Sequence, residues 1–145
     1  MKRRTDIDRL HEEIQELIDD LWHLPRFAGG RRGFRPQVDC IRSEDPAELK
    51  VVVELPGVDP SSVHVVAADR VLMVAGERRR PQVSGRYRQL EIEYGPFQRR
   101  IPLDEPVDAS AASARYEQGM LIVSLPSAAK TPQSERVAIV IRGRQ

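Results

Sequence analysis

Between Gln37 and Pro126 the chain is cut into short alternating stretches by proline, glycine and aspartate, and this punctuation limits what it can fold into. The clearest stretch is Ala114 to Leu121, which reads A-R-Y-E-Q-G-M-L. A strand from Ser113 to Tyr116 meets a turn at Glu117-Gln118-Gly119, and a second strand, Met120 to Leu125, runs on to Pro126. Gly119 can take the positive φ that a tight hairpin turn needs. Leu121, Val123 and Leu125 then share a face, as do Val51 and Val53 in Leu49 to Leu55, which Pro56-Gly57 stops. Alternation of period two is the mark of a half-buried strand. The same reading predicts strands at Val38 to Ile41, Val63 to Ala67, Val71 to Ala75 and Phe97 to Leu103, with a hairpin-like connection at Ala68-Asp69-Arg70. It also predicts a short strand at Tyr87 to Glu93, with Leu90 and Ile92 on one face. No helix, repeat or βαβ alternation interrupts the region, so the expected class is all-β, an antiparallel sandwich.

The 145 residues leave room for an extension at each end of such a domain. The division reads 1–36, 37–126 and 127–145. In the first part Ile7, Leu10, Ile14, Leu17, Leu21 and Leu24 alternate steps of three and four, an amphipathic helical stripe widened by Ile18 and Trp22. Thr5 or Asp6 caps its start and Pro25 ends it near Trp22 or His23. Asp8, Glu12, Glu13, Glu16, Asp19 and Asp20 make the opposite face acidic. So short a stripe is marginal alone. It packs on its own domain, or pairs between chains and contacts other proteins. A linker follows, R-F-A-G-G-R-R-G-F-R-P, in which Phe27 and Phe34 either bind a partner or tuck against the domain. The third part is a flexible, polar, proline-containing tail that ends in V-A-I-V-I, where Val137, Ile139 and Ile141 alternate as a strand would. This apolar plug on a polar tether needs a partner groove.

Several function classes find no support. The formal net charge is +1, and acidic residues offset Arg31-Arg32 and Arg78-Arg79-Arg80, a triplet that Pro81 and Gly85 place in a loop. Nucleic-acid binding is therefore not expected. Cys40 is the only cysteine, which suits a reducing compartment. Asp6 and Asp8 stand where a signal peptide needs apolar residues, and no apolar run approaches the ~20 residues that span a bilayer. The expectation is a cytoplasmic protein with no membrane partner. His11, His23 and His64 are scattered, without metal-ligand spacing, and no phosphate-cradling loop or nucleophile elbow occurs. Neither a cofactor, a metal nor an enzymatic activity is expected.

Motifs in order along the chain resemble those of the small heat-shock protein family. A-R-Y-E-Q-G-M-L resembles the family's A-x-x-x-x-G-x-L, and E-L-P-G-V at Glu54 to Val58 resembles its strand-ending P-G-V turn. V-L-M-V-A-G-E-R at Val71 to Arg78 resembles L-x-I-x-G-x-R, and Y-G-P-F-Q-R at Tyr94 to Arg99 resembles G-x-F-x-R. L-I-V-S-L-P at Leu121 to Pro126 resembles the closing strand, and Ile139-Val140-Ile141 the carboxy-terminal I-x-I. Where the family reads Leu-Pro after G-x-F-x-R, this chain has Leu103-Asp104, with Pro102 and Pro106 displaced.

The resemblance implies an immunoglobulin-like sandwich, the α-crystallin domain, built into dimers and larger homo-oligomers. It implies an ATP-independent chaperone, a holdase that binds unfolding client proteins on apolar surfaces and keeps them from aggregating. The alternative is a non-holding adaptor of the co-chaperone kind. Dimer contacts are expected from Arg86, Tyr87, Arg88 and Leu90, in a short strand of the kind that swaps onto a partner's sheet, and from Arg99. Val137, Ile139 and Ile141 are expected to link dimers by filling a groove at Val63, Val65 and Ala114. The same plug could instead cover its own chain's edge. Client contacts are expected from Ile7, Leu10, Ile14, Leu17, Ile18, Leu21, Trp22, Phe27 and Phe34.

Overall fold

The computed structural model describes Glu16 and residues 33–128 and 136–143. Among these, strands β1 (Val38–Ser43), β2 (Glu48–Glu54), β3 (His64–Ala68), β4 (Val71–Arg78), β5 (Gly95–Pro102), β6 (Ser113–Glu117), β7 (Met120–Pro126), β8 (Val137–Ile139) and β9 (Ile141–Gly143) follow in order. They form two facing sheets, β1-β2-β7-β6-β9 and β5-β4-β3-β8. Every pairing is antiparallel except that of β6 with β9. The fold is the all-β sandwich that the punctuation predicts. Glu16, on the acidic face, is helical and exposed; the residues of the apolar stripe lie outside the described residues.

The alternation sets which side chains enter the core. Leu49, Val51 and Val53 of β2 and Leu121, Val123 and Leu125 of β7 point inward against Leu72 and Val74 of β4, and none is more than 2% exposed. Each such burial is worth about 1.5–3 kcal/mol. Ties at the ends of strands fix the layers. Tyr116 donates its hydroxyl to the Leu55 carbonyl at 2.8 Å. Glu105 accepts from Arg42 Nε at 2.7 Å and from Ser127 Oγ at 2.6 Å, joining the β1 edge to the end of β7.

Motifs distant in sequence meet in space. In the β6–β7 turn Gln118 and Gly119 have φ of 52° and 78°, the two left-handed residues of a tight hairpin. A Cβ on Gly119 would also stand 3.1 Å from Pro56 Cα, because the two turns pack together and Leu55 N donates to the Gly119 carbonyl at 2.8 Å. Gly76 pairs with Phe97 across β4 and β5, and a Cβ there would lie 2.9 Å from the Phe97 ring. The glycine of one motif thus makes the space for the phenylalanine of the next.

The structure departs from the sequence reading in four places. β4 runs three residues beyond Ala75, because Gly76, Glu77 and Arg78 pair with Phe97, Pro96 and Gly95, so Arg78 belongs to a strand and not to the loop. Tyr87 to Glu93 forms no strand: alternation makes a strand only where a neighbour supplies hydrogen bonds, and no described part of the same chain does so. The β region contains two 3-10 turns, Pro60–Ser62 and Ala109–Ala111, where none was expected. Asp59 and Asp108 cap them by accepting from Ser61 N at 2.9 Å and Ser110 N at 3.1 Å. Finally, the tail segment is two strands in different sheets, not one, and changes sheet at Val140.

Candidate assembly and client surfaces

The tail and its groove come together on the open side of the sandwich. Val137 and Ile139 pair with Ala67 and Val65 of β3, and Ile141 pairs with Ala114 of β6. The segment closes the gap between the sheets as a strap, extending one with β8 and the other with β9. Ile139 is 8% exposed and joins the core cluster, Val137 and Ile141 pack partly buried beside it, and Val140 turns outward at 81% exposure. Val63 is buried just before β3, in the same cluster. Backbone pairing supplies adhesion here, and alternate side chains supply fit.

A second surface is the long connection between β4 and β5. Arg86, Tyr87, Arg88 and Leu90 are all exposed there. Val83, Tyr87, Leu90 and Ile92 keep between 54% and 66% of their surface in solvent, which gathers four of the six exposed large apolar side chains among the described residues into one connection. Both roots of this connection are held. Arg78 donates through Nε to the Glu93 carbonyl at 2.9 Å and through Nη1 to the Pro56 carbonyl at 3.3 Å. Its guanidinium lies 3.6 Å above the Phe34 ring, a cation–π contact. Arg80 stands 4.5 Å from the Tyr94 ring and 5.1 Å from that of Tyr87, and Arg79 pairs with Glu77 at 3.4 Å. The arginine triplet is engaged within its own chain, which the sequence reading did not foresee. Its signal was present in the aromatic residues Tyr87 and Tyr94 at the far side of the same connection.

Arg99 sits on β5 between the buried Phe97 and Ile101, so its side chain starts toward the interior at an edge strand. It donates to the Pro36 carbonyl at 2.6 Å. Burial, followed by the nearby Arg35 charge, pushes its pKa below the usual guanidinium value. Of the residues expected to touch clients, Phe34 is half-buried, edge-on to Phe97 with ring centroids 5.8 Å apart. Of the two fates open to Phe34, the structure gives the tucked one. Ile7, Leu10, Ile14, Leu17, Ile18, Leu21, Trp22 and Phe27 lie outside the described residues.

Cys40 is exposed on β1, and burial together with Asp104 and Glu105 raises its pKa. No helix among the described residues is long and apolar enough to cross a membrane. No described cluster of His, Cys, Asp and Glu is arranged to hold a metal ion.

Known proteins carry the same architecture. The model of the Hsp20/alpha crystallin family matches residues 41–142. The chain is 32% identical over 132 residues to Heat shock protein 16 of Schizosaccharomyces pombe, covering 87% of this chain and 91% of that one. It is 36% identical over 107 residues to a 19.0 kDa class II heat shock protein of Oryza sativa subsp. japonica, spanning 66% of this chain and 61% of the rice protein. Among solved structures, Heat shock protein 16.0 from Schizosaccharomyces pombe superposes with a TM-score of 0.60 at 30% identity, over 73% of this chain and 98% of the other. With the sandwich, the hairpin glycine and the strapped edge in place, the chain belongs to the Hsp20/alpha crystallin family, the small heat-shock proteins.

Proposed function

We propose that this member of a chaperone family is a cytoplasmic, ATP-independent holdase that binds unfolding proteins on apolar surfaces and assembles as dimers and larger homo-oligomers. The observation that carries the reading is the strap. The open side of the sandwich is covered by a short segment on a polar tether, with one deeply buried residue, Ile139. Such a cover is weak enough to leave and to be replaced by another chain's tail or by an unfolding protein. Thirteen residues from Pro126 to Ala138 reach roughly 40 Å when extended, enough to place the plug on a neighbour.

Dimer formation in this reading uses the β4–β5 connection. Residues 86–90 add to the free edge of a partner's β1, where Ile41 is 51% exposed, while Arg99 supports the interface with a charge-assisted contact. Strand addition would cover the apolar side chains that one chain leaves in solvent.

The test is light scattering of several unrelated proteins heated with the chain and without nucleotide. Suppressed aggregation at equimolar chain or below is the expected result. Unchanged aggregation of all of them would refute the holdase.

A further inference from the structure

Residues 79–94, the connection between β4 and β5, form neither strand nor helix, yet they are folded back on themselves. The last ladder pair before them is Arg78 with Gly95. Ser84 and Gly85 bend the chain, and Gly85 has a φ of 122°, a conformation that glycine takes without strain. Residues 86–94 return from that bend toward β5. The arginine triplet carries the period of β4 past its last pair, so Arg78 and Arg80 leave one side of the chain and Arg79 the other. Arg79 pairs with Glu77, and its side chain is 86% exposed. Arg78 and Arg80 meet the rings of the returning limb instead. Arg78 lies 5.3 Å from the Tyr94 ring, and Arg80 lies 4.5 Å from Tyr94 and 5.1 Å from Tyr87. Tyr94 is thus shared by two guanidinium groups, while Tyr87, farther along the limb, meets Arg80.

We propose that Arg80 is a latch on the dimerising segment: stacked on Tyr94 and Tyr87, it holds residues 86–90 against their own chain, and they add to a partner only when it lets go. Tyr87 belongs to both arrangements. In a strand along a partner's β1, side chains turn onto the faces of that sheet, and the Tyr87 ring leaves Arg80. The strength suits a latch, since an exposed cation–π contact shifts an equilibrium by a factor of roughly 2–5. The closed form is favoured in a lone chain but not locked. Holding the segment has a physical reason. Val83, Leu90 and Ile92 beside it are exposed, and a free apolar strand adds to any open edge it meets. Folded back, it offers no extended template. Arg78 is the hinge below the latch. Its carbonyl partners Glu93 and Pro56 and the Phe34 ring lie at the root of the connection, where opening need not disturb them. The effect on assembly rests on the dimer of the proposed function; the stacking within the chain does not.

Sedimentation of the full chain over a dilution series tests the latch, read as the concentration at which half of the chains are monomeric. Arg80→Ala should lower this midpoint by roughly 5–30-fold, because a symmetric dimer opens two latches and each withholds part of the competent population. Tyr94→Leu should act in the same direction but by less, since Tyr87 keeps its contact. The two changes together should do little more than Arg80→Ala alone, because both act through one cluster. Arg79→Ala removes the same charge one residue away and should leave the midpoint in place. A midpoint unmoved or raised by Arg80→Ala overturns the latch. So does an equal fall in Arg79→Ala, which would make the effect one of charge alone. Leu90→Asp separates the latch from the dimer reading. A midpoint raised by Leu90→Asp but unmoved by Arg80→Ala overturns the latch and leaves the dimer reading standing. A midpoint unmoved by Leu90→Asp overturns the dimer reading, and with it the latch's part in assembly.

Discussion

At the scale of single residues, the motifs are contacts. Gly76 is bare because Phe97 occupies the space beside it, and Phe97 in turn carries Phe34, over which Arg78 lies. Gly76→Ala should therefore push the Phe97 ring from its place and cost about 1–3 kcal/mol, read as a lower urea midpoint at unchanged slope. Arg99→Ala leaves the Pro36 carbonyl without its donor and should lower Tm and change assembly size by light scattering; an unchanged profile in both would count against its interface role. Hydrogen bonds from Ser127 and then Arg42 hold the Glu105 carboxyl below its ordinary pKa. Its contribution is complete above the unfolded carboxylate range and is lost as pH falls through the depressed folded value. Glu105→Gln should flatten that part of an acid unfolding curve. The glycines and Phe97 were legible in the sequence as motif positions, but their mutual fit was not. Sequence order does not say which turn lies against which, and Arg78 reads as one of three loop arginines.

At the scale of elements, alternation identifies β2, β6 and β7 because each presents one face to a continuous core. It failed where pairing decides the outcome. Tyr87 to Glu93 alternates as a strand yet has no described neighbour in its own chain, and the tail divides at Val140 because the two sheets offer separate edges. The groove residues Val65 and Ala114 lie in register with Ile139 and Ile141, a placement available to a tail from the same chain or from a neighbour. Burying two isoleucines is worth roughly 3–6 kcal/mol before association costs, so in the proposed assembly each link is exchangeable and many together hold a shell. Ile139→Ala/Ile141→Ala should remove most of this and leave dimers in sedimentation; a large oligomer that survives the change would restrict the plug to its own chain. Leu90→Asp, in the exposed β4–β5 connection, should instead weaken the dimer and leave the sandwich folded.

At the scale of the whole molecule, the fold leaves edges and faces that must be covered, and the chain supplies short covers for them. The tail straps one side, and the β4–β5 connection leaves its apolar side chains in solvent. In the proposed function, a weak cover on a stable sandwich lets apolar surface become available without unfolding the domain. Removing residues 1–36 should leave a folded β domain with weak protection of clients, while undiminished protection would move client contact to the sandwich itself. The composition indicates an arm rich in aromatic and aliphatic residues, of which the structure describes only Glu16 and the residues from Gly33 on. The central claim is that clients are held, not merely kept apart. Size-exclusion chromatography with in-line light scattering, run on a client heated with equimolar chain in the absence of nucleotide, tests it most directly. The account predicts a soluble species in which client and chain co-elute above the mass of the chain's own assembly; client that precipitates, or elutes apart from the chain, would contradict it.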